Sequence, residues 1–136
     1  MVLKMLLPSH EAMTRWDTPW IEQSPMTFVK VLWVGRETNS WALLGLWKAG
    51  FVSGRHKHLA AAHVFVVSGK MATGDVIMTA GDYIYEPAGV MHEATTAIED
   101  TVQLFISEGP IARLDAEGGI TSITNWEDIE RMRPVA

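Results

Sequence analysis

A chain of 136 residues is one domain's worth of sequence, long enough to bury a core unaided, and it has no cysteine with which to build a disulfide framework or a thiolate metal site. Apolar residues make up 48% and charged residues 20%, an ordinary globular balance. The net charge of −5, with Lys and Arg scattered singly, excludes the basic footprint of a nucleic-acid binder.

The opening MVLKMLLPSH is apolar, but Lys4 and Pro8 interrupt it and no small-residue cleavage site follows. No run approaches the ~18 continuous apolar residues of a membrane helix, so the expectation is a soluble, cytoplasmic protein without a membrane partner. Residues 1–26 read as an N-terminal segment, ending in TPWIEQSPM, whose two prolines mark a linker.

Residues 27–34 (TFVKVLWV) and 41–48 (WALLGLWK) flank the polar GRETNS and predict an antiparallel hairpin. Both strands are too apolar to alternate cleanly, which implies cover on both faces. Trp33, Trp41 and Trp47, three of the six tryptophans, fall here and read first as core or subunit contact. Short β-like runs follow at HVFVVSGK, DVIMT, DYIYE, GVMHEATT and TVQLFIS, separated by SG, TGD, AGD, PAG and ED. Many short strands with Gly and Asp punctuation predict a sandwich or barrel. Only TNWEDIERMR reads as a helix, with Asn125 as N-cap, Glu127 and Asp128 in the first turn, and Arg131 and Arg133 later.

Three of the five histidines lie in GFVSGRHKHLAAAHVFVVSG, residues 50–69. Residues i and i+2 of a strand project from one face, so His56 and His58 form a two-point ligand set for one metal ion. By itself such a pair is as readily two surface histidines. GDYIYEPAGVMH, residues 81–92, adds a turn shaped by Pro87 and Gly89, from which the next strand delivers His92.

Together these stretches resemble the two sequence patterns of cupins. Gly81, Pro87, Gly89 and His92 match the second pattern at every step; Gly50, His56, His58 and Gly69 match the first. The glutamate of the first pattern is missing, and its place falls on Ala62. The resemblance covers about residues 27–108. It implies an all-β, single-domain cupin: a double-stranded β-helix or jelly-roll barrel over residues 27–110, with residues 111–136 as a C-terminal extension carrying the short helix. It also implies a metal held by His56, His58 and His92.

His63 stands one step beyond Ala62. On a continuous strand it points away from the metal; a turn or bulge in LAAA would bring it in as a fourth ligand. Three neutral imidazoles with no carboxylate leave the full charge of a divalent metal uncancelled, which favours an anionic oxygen chelate. Imidazole suits Fe, Zn, Cu and Ni alike and so does not choose the metal; what favours Fe(II), with Zn, Mn or Ni as alternatives, is a narrower resemblance.

The same combination, lacking the usual Glu, resembles more narrowly the cupin dioxygenases that cleave acetylacetone or 2,4'-dihydroxyacetophenone. That resemblance implies a mononuclear non-haem Fe(II), O2 as co-substrate, and cleavage of a C–C bond beside the carbonyl of a small β-diketone or hydroxyketone. Glu86 corresponds to an acidic residue near the metal in this group; it would orient an imidazole or accept a proton, or else is a solvated strand-end residue. Glu93 projects to the opposite face from His92. Tyr83, Tyr85, Phe65 and Phe105 are the candidates for lining the substrate pocket, with Phe65, Phe105 and Met78 equally at home in the core. Alternative readings are a non-catalytic metal-binding cupin that senses or stores a small ligand, and a Zn- or Mn-dependent isomerase. The apolar N-terminal arm and the surplus tryptophans suggest a homodimer or higher homo-oligomer.

Overall fold

The computed structural model of the chain describes residues 17–134, with 12–15 and the backbone of 4–6 ahead of them. The short strands β1 (Lys4–Leu6) and β2 (Ala12–Thr14) pair with each other. Then come β3 (Ile21–Ser24), β4 (Thr27–Gly35), β5 (Ser40–Trp47), β6 (His56–His58), β7 (Ala62–Ser68), β8 (Lys70–Thr73) and β9 (Val76–Thr79). After them lie β10 (Tyr83–Glu86), β11 (Met91–His92), β12 (Thr95–Ala97), β13 (Thr101–Ser107), β14 (Ile111–Leu114), β15 (Ile120–Thr124) and the helix α1 (Trp126–Glu130).

A six-stranded sheet, ordered β10-β7-β13-β5-β4-β3, packs against a four-stranded sheet, β11-β6-β14-β15, and a three-stranded one, β12-β8-β9. Among the described residues every strand pairing in these sheets is antiparallel. This is the single-domain jelly roll with one short C-terminal helix that the resemblance to cupins implies, within the sandwich-or-barrel class that the punctuation of the sequence predicts. β3, ahead of residue 27, and β14 and β15, beyond residue 110, are hydrogen-bonded into these sheets. The stretch around Pro25 is a tight turn between β3 and β4 rather than a long linker.

Strand parity decides what faces the interior. Along β13, Gln103, Phe105 and Ser107 turn inward, opposite Gly45, Leu43 and Trp41 of β5 and Val66, Val64 and Ala62 of β7. A bulge in β4 between Val31 and Trp33 resets the phase, so Val34 stays inside with Trp41 while Trp33 turns out, 40% exposed. Trp41 is buried with Val31, Val34, Ile111 and Ile129; the last comes from α1, closing one end of the barrel. Asn125 caps α1 in a reciprocal capping box with Asp128, as its position before two acidic residues predicts.

Gly69 shows why a glycine ends β7. Its φ is +92°, and a Cβ there would lie 2.2 Å from the Asp100 carbonyl oxygen, so no side chain fits the corner. Among the described residues no helix is long and apolar enough to cross a membrane.

Candidate metal centre

β6 is three residues long, yet it sits between β11 and β14 and is therefore fixed on both edges. His92 of β11 lies directly across from His56, and the Gly89 N–H donates to the His58 carbonyl at 2.7 Å, tying the turn after Pro87 to the histidine strand. Gly89 has φ +84°, the left-handed conformation this tight turn requires. Residues far apart in sequence thus converge: the ring centroids of His56, His58 and His92 are 5.0 to 5.2 Å apart.

A carboxylate joins them. Glu86 is the last residue of β10, and its inward parity brings Oε2 to 2.7 Å from His92 Nε2 and Oε1 to 3.5 Å from His58 Nε2. Ligand-capable atoms of His58, Glu86 and His92 all fall within 4.8 Å of one another. The His56 Nδ1–H donates to the Gly54 carbonyl at 3.0 Å, which leaves its Nε2 as the free lone pair.

The orphaned nitrogens test whether a metal fits. His58 is 1% exposed, and both its ring nitrogens, like Nε2 of His92, are buried without a directed hydrogen bond. The 2.7 Å contact with Glu86 is short, but the oxygen lies away from the direction of a ring N–H, so it is an ion pair rather than a well-formed hydrogen bond. Buried imidazoles left unpaired like this are rare without a ligand to satisfy them, and a divalent ion fits the donor set.

Electrostatics prepare the same site. Burial lowers the His58 pKa to about 4, and burial likewise lowers that of His56, so both rings are neutral at physiological pH. Arg113, the cross-strand partner of His56 on β14, adds to both shifts. Contact with the Glu86 carboxylate raises the His92 pKa against the opposing effect of burial. Burial pushes the Glu86 carboxyl up, but contact with His92 and the field of the three rings outweigh it and hold the group below the ordinary range.

The cluster opens on a cavity of about 400 Å³ that runs through the barrel between the sheets. Its wall is mainly apolar, with Val29, Leu43, Val64, Met71, Met78 and Phe105 among the lining. Phe105, a pocket candidate from sequence, lines it, its ring 6.0 Å from that of His58.

Other candidates lie elsewhere. Phe65, Tyr83 and Tyr85 are on the outer face of the six-stranded sheet, 41%, 50% and 54% exposed, and so do not line the pocket. The cause is register: Tyr83 pairs with Phe65 and Tyr85 with His63, all of the parity opposite to Ala62, Val64 and Glu86. β7 runs unbroken from Ala62 to Val66, so His63 projects outward with them, away from the three-histidine cluster. Its Nε2–H donates to Glu108 at 2.8 Å and its Nδ1 accepts from the Tyr83 hydroxyl at 2.6 Å. Glu93 is exposed and pairs with Arg55. Arg113 had no sequence signal, because only the long-range pairing of β14 with β6 brings it beside His56.

Residues 9–112 match the family described as the ChrR Cupin-like domain. The chain belongs to that family. Among solved structures, this cupin is similar to an acetylacetone dioxygenase from Acinetobacter johnsonii, at 20% identity and a TM-score of 0.81, over 90% of this chain and 89% of that one. An RmlC-like cupin from Ralstonia eutropha JMP134 is 26% identical with a TM-score of 0.77, over 85% and 80% of the two chains. One chain of the Rhodobacter sphaeroides complex of SigE with the anti-sigma ChrR is 20% identical, TM-score 0.58, over 68% of this chain and 50% of that one. No curated protein matches the sequence.

Proposed function

We propose that this cupin is a mononuclear non-haem Fe(II) dioxygenase, with His56, His58 and His92 as ligands, that cleaves a C–C bond beside a carbonyl of a small β-diketone or hydroxyketone. The observation that carries the reading is the set of three converging imidazoles, two of them (His58 and His92) with orphaned buried ring nitrogens, placed beside Glu86 at a mainly apolar cavity. The likeness in fold to the acetylacetone dioxygenase supports it. When bound, the metal would supply Lewis acidity toward two carbonyl oxygens and a route for electrons to O2.

The chain's own residues do the rest. Glu86 is ionised at neutral pH and faces the cavity, so it is placed to accept the acidic proton from the carbon between two carbonyls. Val64, Leu43 and Phe105 present hydrocarbon to the ligand and exclude water from the reacting carbon. Gly54 fixes the tautomer of His56 through its carbonyl.

The test is elemental analysis of protein purified without added metal or chelator, followed by oxygen-electrode measurements on iron-loaded protein with 2,4-pentanedione and related ketones. Oxygen uptake in step with ketone loss is the expected result; iron-loaded protein that consumes no oxygen with any ketone would sink the proposal. A second reading, metal-dependent ligand binding without turnover, draws on the match to the ChrR cupin-like family, and it expects ketone binding with no oxygen uptake.

A further inference from the structure

One side chain of the cavity is at odds with its surroundings. Gln103 on β13 is only 6% exposed and lines the cavity; its amide makes no hydrogen bond to the described residues and is not among the sealed polar atoms, so it opens onto the cavity. The wall is mainly apolar, with Gln23, Thr27, Thr73 and Thr95 also in the lining. Its cross-strand neighbours are Val66 on one side and Gly45 on the other, and Val29 follows Gly45 on the next strand. Gly45 has no side chain to offer, and a Cβ built there would meet Gln103 Cγ at 3.6 Å and Nε2 at 3.7 Å. The amide therefore rests along the bare backbone of β5.

An amide presents one acceptor oxygen and two N–H donors, and burying it unpaired is destabilising. A strand whose other inward residues include Phe105 would accommodate Leu at this position at no such penalty. The partner that satisfies Gln103 must come from within the cavity.

Position says which part of a ligand that is. Gln103 is one inward step, about 6.6 Å along the strand, beyond Phe105, whose ring packs against His58. A ligand held at the three imidazoles has to extend past Phe105 to reach it. Charge says what the ligand carries there. Arg113, the one Lys or Arg among the lining side chains, is on the rung of His56, so a carboxylate beside Gln103 would be buried without a counter-charge.

We propose that Gln103 is a specificity-determining residue that hydrogen-bonds a neutral oxygen on the extended arm of a 1,3-dicarbonyl substrate, several atoms from the carbonyl pair at the histidines. This rests on the ketone reading above and narrows it from the smallest diketones to ones with a hydroxyl, ether or further carbonyl on the arm.

The test is calorimetric titration of the full chain loaded with Zn(II), which reads binding without turnover. The probes are 2,4-pentanedione, too short to pass Phe105, and the matched pair 2,4-octanedione and 7-hydroxy-2,4-heptanedione. The wild type is expected to favour the hydroxylated probe about tenfold over its hydrocarbon match, and Gln103→Leu to abolish or reverse that preference while binding 2,4-pentanedione unchanged. A wild type without preference overturns the proposal whatever the variant does, and so does a preference that survives in both Gln103→Leu and Gln103→Met. Failure of all three probes to bind overturns the ketone reading itself, and this inference with it.

Discussion

Glu86 stands directly across from Ala62, as cross-strand partners on β10 and β7. Ala62 is fully buried and occupies the place of the glutamate in the cupin pattern. The carboxylate missing from β7 is thus present one strand away, and it reaches the same histidines. A metal here would not keep its full charge uncancelled, because Glu86 sits close enough to cancel part of it, whether it ligates the ion or only faces it.

Restoring the pattern by Ala62→Glu should therefore harm the metal-free protein. A second carboxylate would be buried against the first, destabilising the fold by roughly 3 kcal/mol or more. Divalent metal should recover much of that loss, and the double variant Ala62→Glu, Glu86→Ala should recover it without metal. Urea unfolding with and without Zn(II) measures all three. Unchanged metal-free stability in the single variant would show that position 62 does not face Glu86.

Metal content separates His92 and Glu86 from His63. His92→Ala removes one of three converging rings and should weaken binding more than 100-fold, beyond the ~10 to 100-fold typical of residues that only orient a ligand. Glu86→Gln should fall within that smaller range if the carboxylate acts through His92 and His58. His63→Ala should retain full metal, because its ring is engaged by Tyr83 and Glu108 on the outer face. Elemental analysis after dialysis against a weak chelator ranks the variants, and loss of metal from His63→Ala would contradict this placement.

The barrel was legible in the sequence because its signals are local. The hairpin of β4 and β5, the turn at Pro87 and Gly89, and the cap at Asn125 each rest on a few neighbouring residues, and the i, i+2 spacing of His56 and His58 needs only strand parity. Phase was harder. Ala62 inside and His63 outside follow from one unbroken strand, but the tyrosines required knowing which parity of β10 faces in, and Glu86 settles that only once its strand is paired with β7. Arg113 depends on a pairing between β6 and β14, which are more than fifty residues apart, and no local pattern announces it. Gln103 did leave a trace: in TVQLFIS the polar residues share a parity with Phe105, the reverse of an ordinary solvent-facing alternation.

Acid should destabilise the metal-free protein through His58. Its folded pKa of about 4 lies below the unfolded value of 6.5, because burial disfavours the charged ring. Between those values the unfolded chain binds more protons, so the contribution is full above pH 6.5 and is lost as pH falls toward 4. From pH 7 to pH 5 the loss is about 2 kcal/mol. His92 works in the opposite sense, its raised pKa contributing below pH 6.5 and fading as pH rises through the folded value. Urea unfolding at pH 7 and pH 5, compared between wild type and His58→Leu, isolates the first effect; an equal pH slope in the two proteins would refute it.

Metal and proton should compete at His92 above all. His56 and His58 are held neutral by burial and are ready to ligate, whereas contact with Glu86 favours the protonated form of His92. Binding an ion must displace that proton, so affinity is expected to fall about tenfold per pH unit once pH drops below the His92 pKa. Glu86→Gln removes the carboxylate that holds the pKa up, and the break in affinity should move to lower pH even as the plateau affinity weakens. Fewer protons should then be released per Zn(II) at neutral pH, which calorimetry in buffers of different ionisation enthalpy counts. A break at the same pH in wild type and Glu86→Gln would mean that the carboxylate does not control the His92 proton, and that its place opposite Ala62 matters to the metal by charge alone.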